Sequence, residues 1–323
     1  MKTYLITGGA GFIGSHVVDS LIDDNKVIVI DNFNTFYDPK LKWKNIEKHL
    51  KHENYKLEQV DIRNGEEINR IFLENKIDII IHLAAMAGVR PSIENPILYQ
   101  EVNCIGSQNI FEAAKNTNVK NIVFASSSSV YGNNKKVPFK ETDIVDNAIS
   151  PYAATKKANE VMGHVYHSLY NINLAFLRFF TVYGPRQRPD LAINKFVRNI
   201  LNDEPIPVYG DGTTYRDYTY IGDIVNGILK TVKWLENQEN AYEIFNLGRS
   251  EPITLNEMIE NIEKALNKKA IIDRKPMQLG DVDMTYADVN KAKEIIGYNP
   301  TTSFFDGVSK FIEWHKDMKL EEK

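Results

Sequence analysis

The sequence predicts an α/β protein: a doubly wound parallel sheet followed by a smaller mixed α/β lobe. Three observations carry that expectation. Short continuous apolar runs, of the kind buried on both faces of a parallel sheet, alternate with amphipathic helical stretches over roughly the first 180 residues. The first run ends in a glycine turn that opens straight into a helix, and later runs end in small or hydroxylated residues, at the edge where such sheets place ligands. Length agrees, since 323 residues suffice for a large α/β unit with an appended lobe. The chain is therefore divided into a Rossmann-type unit at residues 1–180 and a substrate lobe at 181–323, with strands free to cross that boundary.

Residues 3 to 7 form the first apolar run and lead into Gly8-Gly9-Ala10-Gly11-Phe12-Ile13-Gly14, after which apolar residues recur at helical spacing through Leu21 and Ile22. This is strand, tight turn, helix. Gly8 and Gly11, with Phe12 and Ile13 at the helix start, let the backbone approach a pyrophosphate, and Gly14 lets the helix pack close to the strand. A second buried run, Val27 to Ile30, ends in Asp31, about twenty residues beyond Gly11. A carboxylate there accepts both adenosine ribose hydroxyls and repels a 2′-phosphate, which favours NAD over NADP. Asn32 and Asn34 open a charged and aromatic insertion beside that ribose. Pro39 breaks the insertion, and a helical pattern follows through Leu41, Trp43, Ile46 and Leu50.

Tyr55 to Val60 reads as a third strand whose end, Asp61-Ile62, is placed either to bracket an adenine or simply to meet solvent. Residues 64 to 76 read as amphipathic helix and Ile77 to Leu83 as a fourth buried strand. Beyond it, Leu83, Ala84 and Ala85 permit a flat ligand to approach closely, and Arg90 is the one charge in the loop. A long helix is expected from Pro96 to about Asn118, then a fifth strand from Lys120 to Ala125. Cys104, the only cysteine, excludes a disulfide within the chain and is expected as a small buried apolar group.

The fifth strand ends in Ser126-Ser127-Ser128-Ser129-Val130-Tyr131-Gly132. Serine runs commonly form turns, but here the next helix brings a phenol to the same sheet edge. Ser150 is a good N-cap, Pro151 suits the first helical position, and Tyr152 and Lys156 then project four residues apart from one face. A free phenol titrates near pH 10 and is no base at neutrality, so a fixed ammonium that favours the phenolate is what a tyrosine base requires. Leu174 to Phe179 reads as the sixth strand.

Gly8-x-x-Gly11-x-x-Gly14, Asp31, the Ser127 turn and Tyr152-x-x-x-Lys156 together resemble the extended short-chain dehydrogenase/reductase family, in particular its nucleotide-sugar epimerases, over essentially the whole chain. The resemblance implies that Ser127, Tyr152 and Lys156 act together with a retained NAD, and that neighbouring Ser128 shares the substrate site. Family members that dehydrate the sugar place an Asp-Glu pair at the positions of Ser128 and Ser129, and decarboxylating members place a Glu at the latter. Here only hydroxyls stand there, which leaves oxidation at C4 followed by reduction, hence epimerisation; a simple reductase also fits, but it would need to release its cofactor each cycle. Thr181 with the run Arg186-Gln187-Arg188-Pro189-Asp190 is similar to the UDP-glucuronate 4-epimerases. A hydroxyl and an arginine, Thr181 and Arg188, suit a C5 carboxylate. The resemblance further implies Arg216 and Arg90 on the diphosphate, Val208 and Tyr209 near the uracil, and Asp281 on the UDP ribose.

In the second lobe, helices are expected at 192–202, 220–236, 254–267, 288–296 and 304–317, with strands near Ile206 and at Glu243 to Leu247. The composition is that of an ordinary globular protein, 43% hydrophobic and 25% charged with a net charge of −4, and no basic run suggests nucleic acid. No signal peptide or membrane-length apolar run is read, so a cytoplasmic setting and no metal site are expected. The resemblance further implies that helices 96–118 and 151–170 form a homodimer through a four-helix bundle, although Val161, Val165 and Leu169 could equally face the chain's own core. Two other functions fit the same residues: a UDP-glucose or UDP-N-acetylglucosamine 4-epimerase, and a non-catalytic NAD-sensing protein.

Overall fold

Parallel strands need a long crossover between neighbours, and each buried run in this chain is followed by residues that supply one. The structure, a computed structural model, describes residues 1–276 and 284–321. The first half of the main sheet is built by β1 (Thr3–Thr7), α1 (Phe12–Leu21), β2 (Lys26–Ile30), α2 (Pro39–Ile46), β3 (Tyr55–Glu58), α3 (Gly65–Glu74) and β4 (Ile79–His82). Next come α4 (Val89–Glu94), α5 (Pro96–Gln100), α6 (Ser107–Asn116), β5 (Asn121–Ser127), α7 (Pro151–Tyr170) and β6 (Asn173–Phe179). The chain then enters the small lobe with β7 (Thr181–Tyr183), α8 (Ala192–Leu201), β8 (Ile206–Tyr209), β9 (Tyr215–Arg216) and β10 (Tyr218–Tyr220). It returns to the main sheet with α9 (Ile221–Leu235) and β11 (Tyr242–Leu247). It ends with β12 (Ile253–Thr254), α10 (Leu255–Leu266), β13 (Ile272–Lys275), α11 (Asn290–Ile296) and α12 (Phe304–Glu321).

The main sheet runs β11-β6-β5-β4-β1-β2-β3, all parallel. Winding reverses between β1 and β4, the point where open sheets of this kind leave a crevice for ligands. Two apolar cores cover its faces, and a third, with Phe196, Val208, Met258 and Phe311, fills the small lobe. No helix among the described residues is long and apolar enough to cross a membrane.

Four local features differ from expectation. Pro39, expected to break the insertion, starts α2 at its first position, where its missing N–H is harmless, and Asp38 accepts from Lys40 N at 2.9 Å. The strand β3 stops at Glu58, because Val60 N turns back onto Glu58 O at 3.0 Å. The long helix from Pro96 contains a wide π turn at Glu101–Gly106. There Asn103 accepts from Met86 N at 2.8 Å and donates to Met86 O at 3.0 Å, tying the turn to the loop after β4. Gly106 packs on Ile62, whose Cδ1 would lie 2.6 Å from any added Cβ. Cys104, on this turn, is half-buried rather than buried.

What holds α7 against the sheet is a buried charge pair. Arg178 on β6 donates from Nε and Nη2 to the two oxygens of Glu160 on α7, at 2.9 and 2.8 Å, and each side chain is 1% exposed. Ser126 Oγ donates to the same carboxylate at 2.7 Å, and Arg178 Nη1 reaches Tyr131 Oη at 3.0 Å. Every strong donor and acceptor in the cluster is thus satisfied, the condition under which a buried pair is tolerated. Glu160→Gln leaves the guanidinium buried without its counter-charge and is expected to cost about 3–5 kcal/mol. A lower urea midpoint with an unchanged slope would report it.

Candidate active site

The phenol and the ammonium are set by the start of α7. Ser150 is extended (φ −151°, ψ 154°), its Oγ accepts from Ala153 N at 3.1 Å, and Pro151 takes the first helical position. Tyr152 and Lys156 then enter a cleft of about 790 Å³ at the carboxyl ends of the strands. Lys156, 4% exposed, donates from Nζ to Ala125 O at 2.7 Å and lies 5.9 Å from the centre of the Tyr152 ring. Burial pulls its pKa down to about 8, against opposing influences of Cys104 and Glu160.

The Tyr152 phenol is subject to opposing influences. Burial raises the phenol's pKa, and the influences that lower it are a hydrogen bond with Ser127 and the charge of Arg188. The Lys156 ammonium donates to a strand carbonyl, that of Ala125. Ser127, the last residue of β5, accepts from Ser129 N at 3.2 Å and from Ser129 Oγ at 2.9 Å. Ser127, Ser128 and Ser129 all line the cleft, so the run that reads as a turn is both the turn and a hydroxyl wall.

At the other end of the cleft, Gly8 adopts φ +71°, and a Cβ there would meet Ala84 N at 2.9 Å. A Cβ on Gly14 would lie 2.2 Å from Gly8 O, so the turn closes only around glycine. Asp31, buried at the end of β2, accepts from Ala10 N at 3.2 Å and Phe33 N at 2.9 Å, while burial raises its pKa. Gly11, Phe12, Ile13, Asn32, Asn34, Ile62, Leu83, Ala84 and Ala85 line the same cleft. This set fits a dinucleotide with free ribose hydroxyls: a glycine cradle for the pyrophosphate, a carboxylate for the diol, and small residues for flat rings. Asp61 does not line the cleft. It accepts from Arg63 and from Asn32 Nδ2 (2.9 Å), and the Arg63 hydrogen bonds hold its carboxyl down to about 2.

Thr181, Arg188, Arg216 and Arg90 also line the cleft. Arg90 lies over the ring of Tyr209, 5.8 Å from its centre. Val208 is fully buried in the small lobe's core. Alternation along β8 leaves Tyr209 on the open face. Asp281 lies outside the described residues.

Sequence reasoning missed Phe36, Tyr37, Lys42 and Asp190 in the cleft. Lys42 donates from Nζ to Asn34 O at 3.0 Å and Asn34 Oδ1 at 2.9 Å, and so braces the loop beside Asp31. Its signal was weak, a lysine on the polar side of an amphipathic pattern. Asp190 stood in the quoted Arg188 run, where its spacing of two from the arginine was available as a cue.

The chain matches the family model for GDP-mannose 4,6 dehydratase over residues 5–311. It is 42% identical over 319 residues to the UDP-glucuronate 4-epimerase of Thermodesulfobacterium geofontis, covering 98% of this chain and 97% of that protein. It also superposes on the UDP-glucuronic acid 4-epimerase of Bacillus cereus in complex with UDP-glucuronic acid and NAD. That match has a TM-score of 0.91 and 33% identity, and covers 98% of this chain and 99% of the other. The UDP-N-acetylglucosamine 4-epimerase of Methanobrevibacter ruminantium, in complex with UDP-N-acetylmuramic acid, gives a TM-score of 0.90 at the same identity and coverage.

A buried ammonium has a cost that pH exposes. Folded, Lys156 titrates near 8 against an ordinary 10.5, so between these values the unfolded chain binds the more protons and stability rises with pH. The penalty is full below about pH 8 and gone by about 10.5. The NAD-free Lys156→Met variant is therefore expected to exceed its parent in stability near pH 7, by at most about 3 kcal/mol. Urea titrations should show that advantage shrinking through the alkaline window.

Proposed function

The chain belongs to the GDP-mannose 4,6 dehydratase family of extended short-chain dehydrogenase/reductases, and we propose that within it this protein is an NAD-dependent UDP-sugar 4-epimerase whose sugar is glucuronate. The observation that carries the choice of sugar is Arg188. Its guanidinium, 16% exposed, lines the same cleft as Thr181, Ser127 and Tyr152 and acts electrostatically on the Tyr152 phenol. A deeply placed cation beside the reacting group suits an anionic sugar. The dehydratase chemistry of the family's name needs an acid and a base where this chain has Ser128 and Ser129.

The chemistry that bound NAD supplies is reversible two-electron oxidation at the sugar C4. Gly8, Gly11 and Gly14 cradle its pyrophosphate and Asp31 takes the ribose diol. Tyr152 removes the proton of the 4-hydroxyl, and Ser127 holds the same oxygen by a hydrogen bond. Because burial opposes the phenolate, the Ser127 hydrogen bond and the Arg188 charge do necessary work in favouring it. The 4-keto sugar turns within the cleft and is reduced on its opposite face, which inverts C4. With glucuronate that intermediate is a β-keto acid prone to lose carbon dioxide, so Thr181 and Arg188 restrain its carboxylate during the turn.

Tyr152→Phe is expected to keep NAD and UDP-sugar binding and to lose about 10²- to 10⁴-fold in kcat. Proton NMR of the purified protein with UDP-glucuronate, UDP-glucose and UDP-N-acetylglucosamine should show a new anomeric signal, UDP-galacturonate, with the first. Conversion of only a neutral sugar would reassign the substrate, a pentose product would reveal a decarboxylase, and no conversion at all would favour an NAD sensor.

The protein is further inferred to be a homodimer. Ile97 and Ile105 on the helical stretch before α6, and Val161, Val165 and Leu169 along α7, are between 40% and 71% exposed, and α5 packs against α7. Such an apolar surface on neighbouring helices suits burial by a second copy. Light scattering at micromolar concentration should give a dimer mass, and Val165→Glu with Leu169→Glu a monomer.

A further inference from the structure

Arg188 already has a carboxylate partner. Its Nε donates to Asp190 Oδ1 at 2.9 Å and its Nη2 to Oδ2 at 2.6 Å, a two-pronged charge-assisted pair on the loop that leads into α8. The fork assigned to a substrate carboxylate is thus occupied by one from the chain itself. The two partners differ in freedom. The side chain of Arg188 is 16% exposed and its guanidinium lies 5.0 Å from the centre of the Phe36 ring, whereas that of Asp190 is 44% exposed. Both line the cleft. A guanidinium packed on an aromatic ring and largely out of water is costly to leave without a counter-charge. An aspartate nearly half in solvent gives up its place at small cost.

We propose that Asp190 is a specificity-determining residue, an internal carboxylate that holds the Arg188 fork when the sugar is neutral or absent and yields it to a substrate carboxylate. This rests on the assignment of Arg188 to the uronate. Exchange of one carboxylate for another preserves both the charge balance and the two hydrogen bonds at Arg188, so a uronate enters without exposing an unpaired buried cation. A neutral hexose leaves Asp190 in place and meets an already neutralised arginine. Asp190 therefore lowers the preference for uronates and confers tolerance of neutral UDP-sugars, because the gain from a substrate carboxylate is only its advantage over the internal one.

Calorimetric titration of UDP-glucuronate and UDP-glucose into NAD-loaded Tyr152→Phe protein, where nothing turns over, tests the exchange when Asp190→Asn and Asp190→Glu are added. With the competitor gone, Asp190→Asn should bind UDP-glucuronate about threefold to tenfold tighter, the worth of a partly exposed ion pair. UDP-glucose should bind no tighter, and Asp190→Glu should restore the parent's affinity for UDP-glucuronate. Weaker UDP-glucuronate binding in Asp190→Asn, with unchanged melting temperature, would make Asp190 an anchor for Arg188 and overturn the exchange. Equal tightening of both ligands would overturn it as well. A parent that prefers UDP-glucose would refute the substrate assignment alone, since the shift in UDP-glucuronate affinity on Asp190→Asn still decides whether the two carboxylates compete.

Discussion

One hydrogen bond organises the centre of this molecule, that from the Lys156 ammonium to the carbonyl of Ala125. It joins the first turns of α7 to the last turn of strand before the serine run, and it keeps a cation where burial works against one. A methionine-like side chain would fill the space at less cost. The Glu160–Arg178 pair, one turn further along α7, fixes the same helix to β6 and so determines where Tyr152 stands. Position of the phenol and stability of the core are in this way coupled through one helix.

The second constraint is topological. A parallel sheet delivers all its strand ends to one edge, and the reversal between β1 and β4 opens a crevice there. Glycines, Asp31, hydroxyls, the Tyr152 phenol and arginines from the small lobe all line it. The wall beside the phenol offers hydroxyls at Ser127, Ser128 and Ser129, groups that orient an oxygen but do not supply the acid and base of an elimination. Burial raises the pKa of the Tyr152 phenol, and the Ser127 hydrogen bond and the charge of Arg188 work against that rise.

Much of this was legible in the sequence, for identifiable reasons. Continuous apolar runs and the glycine turn specify the parallel sheet because burial on both faces and a close backbone approach leave few alternatives at those positions. The cap at Ser150 with Pro151 predicted the register of Tyr152 and Lys156, which the structure repeats. What was not legible depends on contacts between distant segments. Lys156 donates to the carbonyl of Ala125, Val208 turns into the lobe core, and Asn103 draws a π turn into the long helix. Helical spacing carries no information about which strand carbonyl or loop a side chain will meet. Lys42 and Asp190 were missed for a related reason: each lines the cleft from a segment whose packing onto it sequence spacing does not show.

The mechanism proposed for the Tyr152 phenol, the hydroxyls beside it and a dinucleotide inverts C4 by removing its hydrogen and returning it to the same carbon. UDP-glucuronate labelled with deuterium at C4 tests that most directly, by NMR or mass spectrometry of the UDP-galacturonate formed in ordinary water. Full retention of deuterium at C4 is predicted. Loss of the label to solvent, with hydrogen at C4 of the product, would contradict it.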